Sequence, residues 1–430
     1  MGSKFFFGRV LLTVSCIAML VACGSEPSHV TNSPETQISA GTKESRDRPR
    51  ELTSSGEHVQ GTGTDKWKFV RGPNMKVARA DHMMIPLEGG DALVLGGRIS
   101  SGELAPPELY NAETNEFSLA NGPREGRGEM RADGRISVNG YLVAEPSNTI
   151  WLGYLFVDDD KLLLRRKAMK LLLPNGQVLI AGGVIREKTV KGYVDRGLTN
   201  KAEIYDIRSK KSRFVGEMTS TYPSGSATLL KDGRVFFAGV GRELPTTSTS
   251  AKGVKNDGTE IFDPRTGSFT RGPNLARPRV WHGAVRLKDG RVLLIGGQSS
   301  TIDLEGLTNT SEMYDPKRNE IKACGPMQVN RVGPEAVLLS TGEVLVMDGS
   351  LVAPAQAELF QPDRNVFVSA GSLTEPRNFT AAALLSDGRV LICGGCIFRG
   401  FGSDKVQIDL AGSDLLVPKR VEIKSKQERG

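Results

Sequence analysis

One phrase recurs along this chain, and it limits the fold more than any other feature. A glycine opens a run of five mostly apolar residues, and a glycine doublet closes it. It reads Gly90-DALVL-Gly96-Gly97, Gly176-QVLIA-Gly182-Gly183, Gly290-RVLLI-Gly296-Gly297 and Gly388-RVLIC-Gly394-Gly395. Weaker copies are Gly233-RVFFA-Gly239-Val240 and Gly342-EVLVM-Asp348-Gly349. Asn175-Gly176, Asp232-Gly233, Asp289-Gly290 and Asp387-Gly388 precede these runs and read as two-residue hairpin turns between strands. A second phrase follows each copy, at Glu108, Glu203, Glu260, Glu312 and Glu358. Nine or eleven residues later stands an apolar side chain, Phe117, Phe214, Phe269, Ile321 or Phe367. Each unit is therefore four short strands. A lone four-stranded sheet cannot bury its faces, so neighbouring units must pack on one another.

The phrases DGRVLxxGG, AExYDP and FxxGPM resemble Kelch repeats, the galactose-oxidase-like β-propeller family, over about residues 67–416. The resemblance implies an all-β, Kelch-type β-propeller with six recognisable blades. Radial repetition leaves only short, protected sheet edges. The strand-opening glycines are 86, 57, 57, 52 and 46 residues apart, so the first interval is about 30 too long. Ser118–Leu164, with apolar runs after Gly140, Asn148 and Asp160, reads as a degenerate seventh blade, and the rival reading is a long insertion. Trp67–Val70 is expected to add a strand to the last blade and close the ring. The fold says little of function, because one fold hosts many activities.

Eleven residues before each opening glycine stand Arg79, Arg165, Arg279, Arg331 and Arg377, with Tyr222 in the remaining copy. Equal register means equivalent places around an axis. These six form a candidate ligand-binding ring, in which guanidinium groups favour carboxylates or phosphates. The alternative is that each Arg pairs with an acid of a neighbouring blade, such as Glu203, Glu260, Glu312 or Glu358, as part of the repeat. His82 and His282 follow Arg79 and Arg279 at equal spacing and are weak metal candidates, lacking a third ligand. Cys393-Gly-Gly-Cys396 is a candidate disulfide. It lacks the helix of a thioredoxin-like redox motif, and Cys324 offers either thiol another partner. No catalytic residue and no cofactor are implied. The residues that copper chemistry needs in galactose oxidase cannot be assembled here.

The N-terminus is of another kind. Lys4 and Arg9 precede the apolar run Val10–Val21, which is too short to span a bilayer and suits a signal peptide. Leu20-Val21-Ala22-Cys23 resembles the lipobox of bacterial lipoproteins. That resemblance implies cleavage after residue 22, lipidation of Cys23 and an outer-membrane address. Two or three acyl chains meet the requirement for stable anchoring. Residues 24–65 are rich in Ser, Thr, Gly, Pro and Glu and read as a flexible tether spanning roughly 35 Å. The organisation expected is a signal peptide at 1–22, lipidated Cys and tether at 23–65, and propeller at 66–430.

Function is read from what remains. A net charge of +7 in 430 residues, with no aromatic-interleaved basic stripe, gives no support for nucleic acid. The expectation is a lipid-anchored, extracytoplasmic binding module for a protein or glycan. Its contact elements would be the long second-to-third-strand segments Val184–Lys201 and Gly241–Gly258. The alternative is an enzyme resembling Kelch-type sialic-acid epimerases, in which Arg79, Arg279 and Arg377 hold a carboxylate in an open channel.

Overall fold

A computed structural model describes residues 66–99, 103–123, 128–130, 136–143, 165–166, 168–173, 175–189, 192–206, 208–209, 211–219, 225–240, 257–299, 306–350, 355–399 and 406–419. Cys23, Tyr222 and residues 241–256 lie outside the described residues.

Among the described residues, six antiparallel four-stranded sheets form the blades of a β-propeller. Blade 1 runs from its inner strand Ala80–Pro86 through Ala92–Arg98 and Glu108–Asn111 to Glu116–Leu119. Blade 2 comprises Met169–Leu172, Gln177–Ala181, Lys201–Asp206 and Lys211–Glu217. Blade 3 is Ser226–Leu229, Val235–Val240, Gly258–Asp263 and Ser268–Arg271. Blade 4 is Gly283–Arg286, Val292–Ile295, Ser311–Asp315 and Glu320–Ala323. Blade 5 is Glu335–Leu338, Val344–Met347, Gln356–Gln361 and Val366–Ser372. Blade 6 draws on both ends of the repeat region, with Ala381–Leu384, Val390–Cys393 and Ser413–Pro418 capped by Trp67–Arg71. The register Trp67↔Pro418 to Arg71↔Asp414 makes the closure expected of Trp67–Val70. Successive inner strands pack side by side from blade 2 through blades 3, 4, 5 and 6 to blade 1.

The second strands are mostly apolar because both their faces lie between blades. Val292, Leu293, Leu294 and Ile295 are all fully buried. Phe236 of blade 3 stacks on Tyr314 of blade 4, with centroids 3.9 Å apart. The seams between blades 2 and 3 and between blades 3 and 4 are thus sections of core.

Two sequence expectations change. The inner hairpins have three-residue loops. Leu230 N donates to Arg234 O and Gly233 N to Leu230 O, and the same pattern recurs at Leu287 and Leu385. Only the glycine takes positive φ, while the Asp carboxylate accepts the N–H two residues on. This loop asks for one left-handed residue, whereas the two-residue I′ turn asks for two.

The starting bound of the segment Ser118–Leu164 is the second. Ser118 and Leu119 belong to the outer strand of blade 1, so the segment begins inside that blade. Among the described residues beyond it, only a three-stranded sheet of Gly128–Met130, Ile136–Val138 and Tyr141–Leu142 forms. Val138 and Val143 pack against Met83, Ile85 and Leu95 of blade 1. Residues 144–164 lie outside the described residues.

Candidate functional site

The register that sets Arg79, Arg279, Arg331 and Arg377 before their inner strands also buries them completely. Arg79 Nη2 lies 2.6 Å from Glu108 Oε1, Arg279 Nη2 2.5 Å from Glu312 Oε1 and Arg331 Nη2 3.1 Å from Glu358 Oε1. Arg377 Nη2 bridges Glu375 and Asp414, at 2.6 and 3.0 Å. The second guanidinium nitrogen binds the carbonyl of the residue that opens each doublet: Gly96, Gly296, Asp348 and Gly394. The acid opposite also accepts backbone N–H groups of the inter-blade connection: Lys76 and Val77 to Glu108, Ala276 to Glu312, Gln328 to Glu358, and Thr374 to Asp414. Burial pulls the pKa of Arg79, Arg279 and Arg331 down, and the facing carboxylate pulls it back up.

These four arginines therefore clamp each inter-blade connection to the third strand of the same blade. The acid lies on their own blade, not on the neighbour. The open, convergent arrangement that a carboxylate-binding ring or an epimerase would need is absent at these four positions. Arg165 lies in a short strand, Arg165–Arg166, that pairs with Val184–Ile185. In blade 3, whose Arg-register residue is Tyr222, Glu260 accepts Thr219 N at 3.0 Å and Thr219 Oγ1 at 2.5 Å, and burial pushes its carboxyl upward.

The two histidines are kept apart. His82 Nε2 lies 3.4 Å from Cys393 Sγ across the seam of blades 1 and 6, and His282 Nε2 lies 2.7 Å from Ser226 Oγ across that of blades 4 and 3. Burial, with the nearby Arg79 or Arg279, pulls each pKa to about 3, so both are neutral seam groups. Among the described residues no three His, Cys, Asp or Glu side chains group to hold a metal ion. Cys324, Cys393 and Cys396 form no disulfide, and Cys393 and Cys396 are buried. The candidate disulfide is not formed. Cys393 ends the second strand of blade 6 facing His82, while Cys396 begins a different hairpin, pairing with Asp409. Burial pushes the Cys393 thiol up to about 12.

Two residues after each of the four buried arginines the chain takes a left-handed conformation: Asp81 (φ 57°), Trp281 (φ 51°), Gly333 (φ 60°) and Phe379 (φ 59°). Gly333 N donates to Trp281 O, and Asp81 N to Phe379 O, linking successive blades at the start of their inner strands. Gly333 is exposed and the others are half-buried. Bulky residues rarely occupy this region of φ, and such outliers cluster at functional sites. This rim was missed in the sequence, although its position, fixed relative to each Arg, was available. The hairpins after the doublets stand beside it: Val184–Thr189 with Gly192–Leu198 in blade 2, and Cys396–Arg399 with Val406–Asp409 in blade 6. Phe398 meets Phe379 edge-on at 6.3 Å.

Also missed was a carboxyl pair between blades 5 and 6. Asp348 replaces the first doublet glycine at φ 65° and accepts Thr380 N (2.8 Å) and Thr380 Oγ1 (3.2 Å) across the seam. Burial, then the charge of Asp348, pushes Glu335 up to about 8, and burial raises Asp348 to about 6.

No protein-family profile matches the chain. It is 25% identical over 285 residues to alpha-scruin of Limulus polyphemus, covering 65% of this chain and 25% of that protein. It is 41% identical over 68 residues to Kelch-like protein 7 of rat and of mouse, covering 16% of this chain and 11% of each. The chain thus spans a quarter or less of the length of these relatives. Both likenesses agree with the propeller that the strands build.

Proposed function

We propose that this propeller is a binding module whose recognition surface is the rim of Asp81, Trp281, Gly333 and Phe379 with the hairpins that follow the doublets. One contrast carries the reading. In the four blades where both are described, the residue that repeats, Arg, is buried and ion-paired inside its blade, whereas the residue two positions on differs from blade to blade and reaches solvent. What repeats holds the scaffold, and what varies is free to recognise. An acid, two aromatic rings and a bare backbone at equivalent positions suit a protein surface or a glycan, with aromatic faces as anchors.

The lipid-anchored, extracytoplasmic setting rests on the pattern Leu20-Val21-Ala22-Cys23 and the tether after it. It places the propeller at the bacterial envelope, at the outer membrane. A glycan array and an envelope-extract screen, both with the full chain, test the reading. A selective binder lost on Trp281→Ala with Phe379→Ala supports it, and no selective binder in either arm contradicts it. Palmitate labelling that disappears in Cys23→Ser tests the anchor separately.

A further inference from the structure

Blade 2 departs from the others at its outer strand. In blade 5 a bulge beside Ala357 is followed by the pairs Glu358↔Ser369 and Phe360↔Phe367, and Phe367 is 8% exposed. Blade 2 has the same bulge, beside Ala202, but the two residues are exchanged: Glu203 faces Phe214 and Tyr205 faces Ser212. Phe214 is thereby moved to a position where it is 58% exposed. The corresponding aromatic of blade 1, Phe117, is 2% exposed. The strand that carries Phe214 is seven residues long, as is the outer strand of blade 5, against four for the outer strands of blades 1, 3 and 4. It is the last strand of its sheet, and its outer edge pairs with no other described strand. Val215 and Gly216 pack on Gly267 of blade 3, but an edge that bears an exposed aromatic and pairs with no other described strand is still a template for another strand.

Reversed on itself, this edge, Lys211-Ser-Arg-Phe-Val-Gly-Glu217, sets a Lys opposite a Glu at each end and its central Phe opposite itself. We propose that Lys211–Glu217 pairs antiparallel with the same strand of a second copy of this chain, with Phe214 opposite Phe214 and Lys211 opposite Glu217. A two-fold axis through Phe214 makes this an isologous contact that closes on itself, so it yields a dimer rather than a filament. Two Lys–Glu pairs flank a central aromatic pair, and both charged side chains are exposed and able to reach across. One strand pair buries less than a standard interface, so the dimer is weak and depends on concentration. This contact lies on the outer strand and is independent of recognition at the rim.

Sedimentation velocity of the full chain in detergent solution over a wide concentration range tests it. The expected result is a monomer–dimer equilibrium that Phe214→Ser shifts to monomer. Lys211→Glu sets Glu against Glu and also gives monomer, and adding Glu217→Lys restores the dimer. All three side chains are exposed, so an unchanged thermal midpoint shows that the variants remain folded. A monomer at every concentration overturns the proposal, as does a dimer indifferent to Phe214→Ser and Lys211→Glu.

Discussion

At the scale of single residues, burial decides what each charged group does. Arg279 and Glu312 are almost completely removed from water, and each neutralises the other. Removing one partner strands the other charge, so Arg279→Ala is expected to lower the unfolding free energy by about 3–5 kcal/mol in urea titrations. Replacing both by apolar residues of similar volume is expected to cost much less. Glu335 and Asp348 show burial acting without a full ion pair. Their pKa values of about 8 and about 6 lie above those of an unfolded chain, so the folded state holds protons that the unfolded state releases. The stability these two groups contribute is therefore greatest below the ordinary carboxylate range, falls as pH rises above it, and is lost once pH has passed about 6 for Asp348 and about 8 for Glu335. Glu335→Gln is expected to flatten the upper part of that profile, as read by thermal midpoints across pH. An unchanged slope would contradict the assignment.

At the scale of strands and seams, the doublet and the residue three after each Arg complement one another. A Cβ on Gly394 would lie 2.5 Å from His82 Cε1, and one on Gly239 would lie 2.9 Å from His282 Cε1. Where Asp348 replaces the glycine, Thr380 stands in place of the histidine and donates to it. Asp348→Gly is expected to cost about 1–3 kcal/mol through the lost acceptor. Thr380→His alone is expected to overpack the seam by about 1–3 kcal/mol. The double variant is expected to recover much of both losses, and strict additivity in a double-mutant cycle would show that the positions do not couple.

The same scale shows why the sequence was legible only in part. Strand order, the register of the arginines and the closing strand at Trp67 follow from periodicity, which reports residue spacing. Which acid meets each arginine does not, because spacing along the chain is silent on distance across a sheet, and Glu108 proves to lie on the same blade as Arg79. Phe214 did leave a signal. It follows Glu203 by eleven residues where the other blades have nine, and that offset is the two-residue displacement that exposes it. Asp348 was visible as an imperfect doublet, but its bond to Thr380 needed the seam.

At the scale of the molecule, repetition and function occupy different places. Arg–acid clamps, the apolar second strands and the closing strand from the N-terminus hold the ring. The rim residues and the hairpins beside it vary from blade to blade around one end of the inner strands. The hairpin loops at the other end share one turn geometry and offer less to distinguish one blade from the next. Hydrogen exchange on the full chain, with and without a binder from the glycan or envelope screen, separates the two ends most directly. Recognition at the rim predicts slowed exchange around Trp281, Gly333 and Phe379 and in Gly192–Leu198. Slowed exchange confined to the opposite turns, at Asp232, Asp289 and Asp387, would contradict it.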